Sequence, residues 1–152
     1  MLNELDKELE RRGHRFVRFE DDAIIFCKSK KSAGRTMENI VLYIERKLFL
    51  RVNRAKTTIS HISKIKYLGY AFCRYKGKCK LRVHLKSVKK MKEIHRVLTS
   101  KSNGCGNDYR KQKLAEFGRG WINYFRMAEM KGLLVGIDEW LRRRIRAVYW
   151  KQ

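Results

Sequence analysis

Phe16-Val17-Arg18-Phe19-Glu20-Asp21-Asp22-Ala23-Ile24-Ile25-Phe26 is the stretch that decides how the rest of the chain is read. Two runs rich in aromatic and branched residues, Arg15 to Phe19 and Ala23 to Lys28, flank three adjacent acids, the pattern of a hairpin with carboxylates at its tip. Upstream, Leu2, Leu5 and Leu9 recur at helical spacing before Gly13, so residues 2 to 12 are expected to form a helix that Gly13 stops in a left-handed cap. Downstream, Ser32 is placed to cap a helix carrying Met37, Ile40, Val41, Ile44 and Leu48 on one face. Strand-like residues from Phe49 to Asn53 then complete an α-β-β-α-β order.

A second hairpin is expected from Lys66 to Arg74 and Lys80 to His84, around the Gly-containing turn Tyr75-Lys76-Gly77-Lys78. Beyond His84 the apolar period changes. Val88, Met91, Ile94 or His95, and Leu98 form a helical stripe that ends near the loop Ser102-Asn103-Gly104-Cys105-Gly106-Asn107. Asp108 can cap a helix from Tyr109 towards Met127, and a last helix runs from Gly132 or Leu133 through Ile137, Trp140, Leu141, Ile145 and Val148. The expected fold class is α+β: an α/β sandwich with hairpins over residues 1–84, then a three-helix unit over 85–152.

Charge narrows the function. Thirty-eight Lys and Arg against fifteen Asp and Glu give +23, well beyond what solubility needs and destabilising through self-repulsion, so a polyanionic partner is expected. Residues 1 to 50 are nearly neutral, with eleven basic and nine acidic side chains, whereas Arg46 to Lys92 hold sixteen basic ones and no acid. The positive field is therefore concentrated mid-chain.

No run of about 18 apolar residues exists and the amino terminus lacks a signal-peptide pattern, so a cytoplasmic protein without a membrane partner is expected. Cys27, Cys73, Cys79 and Cys105 form no C-x-x-C pair, and the four histidines lack paired-ligand spacing, which favours reduced thiols over a zinc site.

Paired carboxylates on a rigid hairpin are what a polymerase palm needs for two Mg²⁺ ions to bridge primer and nucleotide. The same eleven residues also suit an ordinary acidic turn. The surrounding sequence tips the balance, because the hairpin resembles the Tyr-Ala-Asp-Asp block of group II intron reverse transcriptases, with Phe19 and Glu20 where that family has Tyr and Ala. Lys66-Tyr67-Leu68-Gly69-Tyr70-Ala71-Phe72 resembles the family's later palm hairpin, near the primer strand. His84-Leu85-Lys86-Ser87-Val88-Lys89-Lys90 resembles the entry to its thumb, with Leu85 where Pro is common. Arg119-Gly120-Trp121-Ile122-Asn123-Tyr124-Phe125, followed by Leu141-Arg142-Arg143-Arg144-Ile145-Arg146, resembles the family's maturase-specific pattern.

The resemblance implies a palm remnant over 1–84 and a thumb or maturase region over 85–152. It makes Asp21 and Asp22 the counterparts of the catalytic metal-binding pair, with Asp21 a weak Mg²⁺ ligand. The family's fingers, and the palm segment bearing a further Asp ligand, would precede this sequence, so the chain alone is expected not to polymerise. Mg²⁺ would matter only if a separately encoded amino-terminal half rebuilt the polymerase. RNA binding needs no cofactor, and structured RNA, in particular group II intron RNA, is the expected partner. A homodimer is a further expectation, as is the opposite case of a degenerate remnant without function. The candidate RNA contacts are Lys64, Lys66, Arg74, Lys76, Lys78, Lys80, Arg82, Lys86, Lys89, Lys90, Arg119, Tyr124, Arg142, Arg143, Arg144 and Arg146. Trp121, Ile122 and Phe125 are expected in the core.

Overall fold

The computed structural model describes residues 2–100, 104 and 106–150. Among these residues five α-helices and two small antiparallel sheets form two compact units, one reaching to His61 and the other starting at Ile62.

In the first unit, α1 (Leu2–Arg11) buries Leu5 and Leu9 from adjacent turns of one face. Gly13 closes it with φ +70, its amide bonding to Glu10 O at 2.8 Å while the His14 amide bonds to Leu9 O at 2.9 Å. These two bonds are the Schellman pattern, which uses glycine because a side chain disfavours that left-handed backbone. Strands β1 (Arg15–Phe19) and β2 (Asp22–Phe26) pair from Arg15↔Phe26 to Phe19↔Asp22. Their inner face contributes Phe16 and Ile25 to a core of Leu5, Leu9, Ile40 and Leu48.

Helix α2 (Lys30–Lys47) is capped by Ser29, three residues before the serine expected from sequence: the Ser29 hydroxyl accepts from the Ser32 amide at 3.1 Å. The strand expected over Phe49 to Asn53 is absent. Phe49 takes a left-handed φ of 54, and the Leu50 amide turns back to Ile44 O at 3.2 Å, which lays Leu50 against the leucine core. Asn53 then nucleates a turn, accepting from the amides of Lys56 and Thr57. An apolar run spent on covering a helix end does not extend into a sheet.

In the second unit, a 3₁₀ turn (Ile62–Lys64) leads into β3 (Lys66–Tyr67), β4 (Tyr70–Tyr75) and β5 (Lys78–Val83), ordered β3-β4-β5. Both connections are two-residue turns with positive φ at each position: Leu68-Gly69 (49 and 82) and Lys76-Gly77 (47 and 76). That geometry matches the twist of paired strands. Three helices follow, α3 (Leu85–Leu98), α4 (Asn107–Tyr124) and α5 (Lys131–Tyr149).

Gly106 rather than Asp108 stands at the start of α4, which stops at Tyr124, short of Met127. The loop expected from Ser102 to Asn107 lies partly outside the described residues, Ser102, Asn103 and Cys105 included. The core of this unit is Val83, Val88, Phe125, Ala128 and Met130, with Tyr70, Trp121, Leu133 and Leu134 packed on it. The apolar period does change at residue 84. The compact units nevertheless divide earlier, because the β4–β5 hairpin packs with the helices that follow it.

Candidate nucleic-acid interface

At the tip of the first hairpin, Phe19 and Asp22 form the closing pair, which leaves Glu20 and Asp21 as the turn itself. Strand alternation therefore does not govern them. Glu20 sits at φ 52 and its carbonyl accepts from Arg18 at 2.9 Å. Arg18 also clamps Asp6, donating from Nε to Oδ1 at 2.7 Å, and its hydrogen bonds hold the Asp6 carboxyl below the ordinary range. Asp21 and Asp22 are both exposed. Among the described residues no three His, Cys, Asp or Glu side chains gather as a metal site. Two neighbouring carboxylates at a solvated turn do not by themselves fit Mg²⁺, which demands near-octahedral oxygen ligation.

The β3-β4-β5 sheet is two-faced. Residues directly opposite each other share a side, so Tyr70, Val83, Phe72 and Leu81 lie on one face and Lys66, Ala71, Arg82, Cys73, Lys80, Tyr75 and Lys78 on the other. The first face enters the core through Tyr70 and Val83. The second presents Lys66 and Arg82 on either side of Ala71, and Lys78 and Lys80 next to Tyr75, whose ring is half exposed. Lys80 Nζ stands 4.8 Å and Lys76 Nζ 5.7 Å from the Tyr75 ring centre, and Lys80 also pairs with Glu129 at 2.6 Å. Arg74 falls on the opposite face from the other basic strand residues, at its exposed end. Lys64 is exposed in the 3₁₀ turn, and Lys86, Lys89 and Lys90 share the exposed side of α3, away from buried Val88, Met91 and His95.

The Arg119 to Phe125 segment acts mainly as a packing device. Phe125 is buried and Trp121 lies 4.8 Å from it between ring centres, whereas Ile122, expected in the core, is exposed because its helical angle turns it outward. Tyr124 donates from its hydroxyl to Leu68 O at 3.0 Å, and Tyr70 donates to Tyr124 O at 2.6 Å. Burial pushes the Tyr70 hydroxyl above its ordinary pKa, which keeps it a donor. A Cβ added to Gly69 would lie 2.9 Å from the Phe125 ring, so glycine is required there twice over, for contact and for φ. Arg119 is exposed.

The arginine run on α5 divides. Arg142 pairs with Asp138 at 2.8 Å, Arg143 donates to Glu139 O at 3.3 Å, and Arg146 is exposed. Arg144 turns inward, donating to Thr99 Oγ1 at 2.8 Å and Arg96 O at 3.5 Å, with its guanidinium over the Trp140 ring. Arg110, absent from the sequence-based candidates, is buried and donates to Leu98 O at 3.1 Å and Asn107 Oδ1 at 3.0 Å. Two guanidiniums thus complete the carboxy-terminal end of α3, where helix carbonyls lack partners and the dipole is negative.

Residues 1–72 match the sequence profile of the reverse transcriptase (RNA-dependent DNA polymerase), and residues 88–152 match that of the group II intron, maturase-specific domain. The chain belongs to the group II intron reverse transcriptase/maturase family. No curated protein matches it. In this chain the two matched segments are physically joined, because Leu68, Gly69 and Tyr70 of the first meet Tyr124 and Phe125 of the second. Lys78, Lys80, Arg82 and Lys86 lie in the interval between the matched segments. No described helix is long and apolar enough to cross a membrane.

Proposed function

We propose that this chain binds the structured RNA of a group II intron and holds it in a splicing-competent shape, while the RNA supplies the transesterification chemistry. The observation that carries this reading is the two-faced β3-β4-β5 sheet. One side is committed to the core, and the other carries Lys66, Lys78, Lys80 and Arg82 on the same face as half-exposed Tyr75. Cations that meet phosphates beside an aromatic ring that stacks a base are the parts of a single-stranded or loop RNA contact. Lys86, Lys89 and Lys90 on α3, with Arg142, Arg143 and Arg146 on α5, extend the basic surface. Replacing Lys66, Lys78 and Arg82 together by Gln should leave the fold intact and weaken binding to intron RNA. The slope of log affinity against log salt should fall by roughly two to three units, at ~0.7–0.9 per lost phosphate contact. An unchanged slope refutes the assignment.

A second reading rests on the other hairpin, whose outer face leaves Val17, Phe19 and Phe26 exposed beside Asp21 and Asp22. A separately encoded reverse-transcriptase half that covered this face and supplied a further carboxylate would rebuild a Mg²⁺-dependent polymerase. Primer extension by the mixture, abolished by Asp21→Asn, is the result that would favour it.

A further inference from the structure

The first unit holds a polar cleft that the RNA surface above does not use. Arg12 and His14, at the end of α1, face a stripe of α2 formed by Ser32, Arg35, Thr36 and Asn39, around a cavity of about 260 Å³. The spacing i, i+3, i+4, i+7 places those four on one side of the helix, a side that carries donors where a core-facing stripe would be apolar.

The lining contains no carboxylate. Arg12 is held by Glu8 at 2.7 Å, and Glu8, which also binds Arg11, is driven down to about 2 by the two guanidiniums. One carboxylate shared by two arginines leaves a net positive charge at that wall. Among the described residues, the side chains of His14, Ser32, Arg35, Thr36 and Asn39 make no hydrogen bond or ion pair. Thr36 is the one buried residue of the lining, which gives the cleft a floor between Ser32 and Asn39.

We infer that this cleft is a binding site for a single phosphate group. Arg35 and Arg12 would supply charge-assisted bonds, and the Ser32 and Thr36 hydroxyls with the Asn39 amide would donate to the remaining oxygens. The group could belong to an RNA phosphodiester or to a small phosphorylated molecule. The site lies in the first unit and does not depend on the sheet surface proposed above.

The test is a titration of inorganic phosphate into the ¹⁵N-labelled full chain. Saturable shifts are expected at the amides of residues 12–14 and 32–39. Arg35→Gln should weaken the phosphate affinity by about tenfold, and the near-isosteric Thr36→Val should weaken it by a smaller factor. Lys31→Gln, a neighbouring exposed charge outside the lining, should leave it unchanged. Absence of saturable shifts, wild-type affinity in both lining variants, or an equal loss in Lys31→Gln each overturns the inference. An RNA arm separates the sources. If Arg35→Gln also lowers the RNA salt slope by about one contact, ~0.7–0.9, the phosphate is a phosphodiester; if phosphate binding falls and RNA binding does not, the ligand is a small molecule. The Lys66, Lys78, Arg82 triple variant should retain the phosphate shifts in either case, which keeps the two proposals separable.

Discussion

Up to His61 the chain carries fourteen Lys and Arg against nine Asp and Glu, whereas from Ile62 onward it carries twenty-four against six. The two units treat their arginines accordingly. In the first, guanidiniums are answered by carboxylates: Arg18 by Asp6, Arg11 and Arg12 by Glu8, and Arg54 by Glu45. In the second, the two structural guanidiniums meet neutral oxygens at the end of α3, Arg110 at Leu98 O and Asn107 Oδ1, Arg144 at Thr99 Oγ1 and Arg96 O. Helix carbonyls give such a cation a partner without spending an acid. A surface built this way keeps its positive field for a polyanion.

The cores differ too. The first is built of leucine and isoleucine, while the second turns on an aromatic knot of Tyr70, Trp121, Tyr124 and Phe125. Phe125→Ala should therefore give the largest loss, roughly 3–5 kcal/mol from lost burial and the cavity left behind, measured by urea unfolding. Leu9→Ala in the first unit should cost a comparable ~2–5 kcal/mol. A loss below about 1 kcal/mol for Phe125→Ala would mean that the knot does not hold the second unit together, and the contrast between the two cores would fail.

Much of this was legible in the sequence because it is local. The first strand of the hairpin, Arg15–Phe19, follows from its apolar run, while the second, expected from Ala23 to Lys28, runs over Asp22–Phe26; the Gly13 cap and the Lys76-Gly77 turn follow from glycine's access to positive φ. Phe49 to Asn53 misled because a strand needs a partner, and the chain instead turns back so that Leu50 alone of the run covers the end of α2. The two structural arginines were missed although a signal existed. Arg144 lies four residues from both Trp140 and Val148, and Arg110 four and seven residues before Leu114 and Phe117, so each occupies a place on its helix's apolar stripe. An arginine on an apolar stripe is better read as an internal tie than as a phosphate contact. At the acidic tip, composition located the carboxylates but could not show that Glu20 and Asp21 form the turn.

The distinction between tied and exposed arginines is the next thing to break. Arg110→Met removes the donors to Leu98 O and Asn107, and should cost about 1–3 kcal/mol because a buried carbonyl loses its partner. Arg143→Gln, on an exposed side chain, should stay within about 0.5 kcal/mol of wild type. RNA binding should order them the other way, with Arg143→Gln lowering the salt slope by ~0.7–0.9 and Arg110→Met leaving it unchanged wherever the protein remains folded. Equal stability losses in the two variants would erase the division of α4 and α5 arginines drawn here.

The smallest effect expected is one of pH, and it arises from the burial of His84 among the cations of the second unit. His84 caps α3, its Nδ1 accepting from the Lys86 amide at 3.1 Å while its own amide donates to Gly69 O at 2.9 Å. Burial first, and then the charges of Lys66 and Lys86, push its pKa below the ordinary 6.5. The unfolded chain then takes up the proton at a higher pH than the folded one, so stability is greatest when His84 is neutral in both states and declines as pH falls below about 6.5. Protonation also turns the capping acceptor into a donor, which removes the hydrogen bond to Lys86. His84→Asn keeps a good cap that does not titrate, so its urea midpoint should fall less than that of wild type between pH 7 and pH 5. The other histidines are common to both proteins and cancel in the difference. Bound RNA should shrink that difference, because phosphate near Lys66 and Lys86 offsets the charges that disfavour the imidazolium. If wild type and His84→Asn lose stability in parallel over this range, with and without RNA, the cations of the second unit do not act on His84 and the crowding inferred from its position is not felt there.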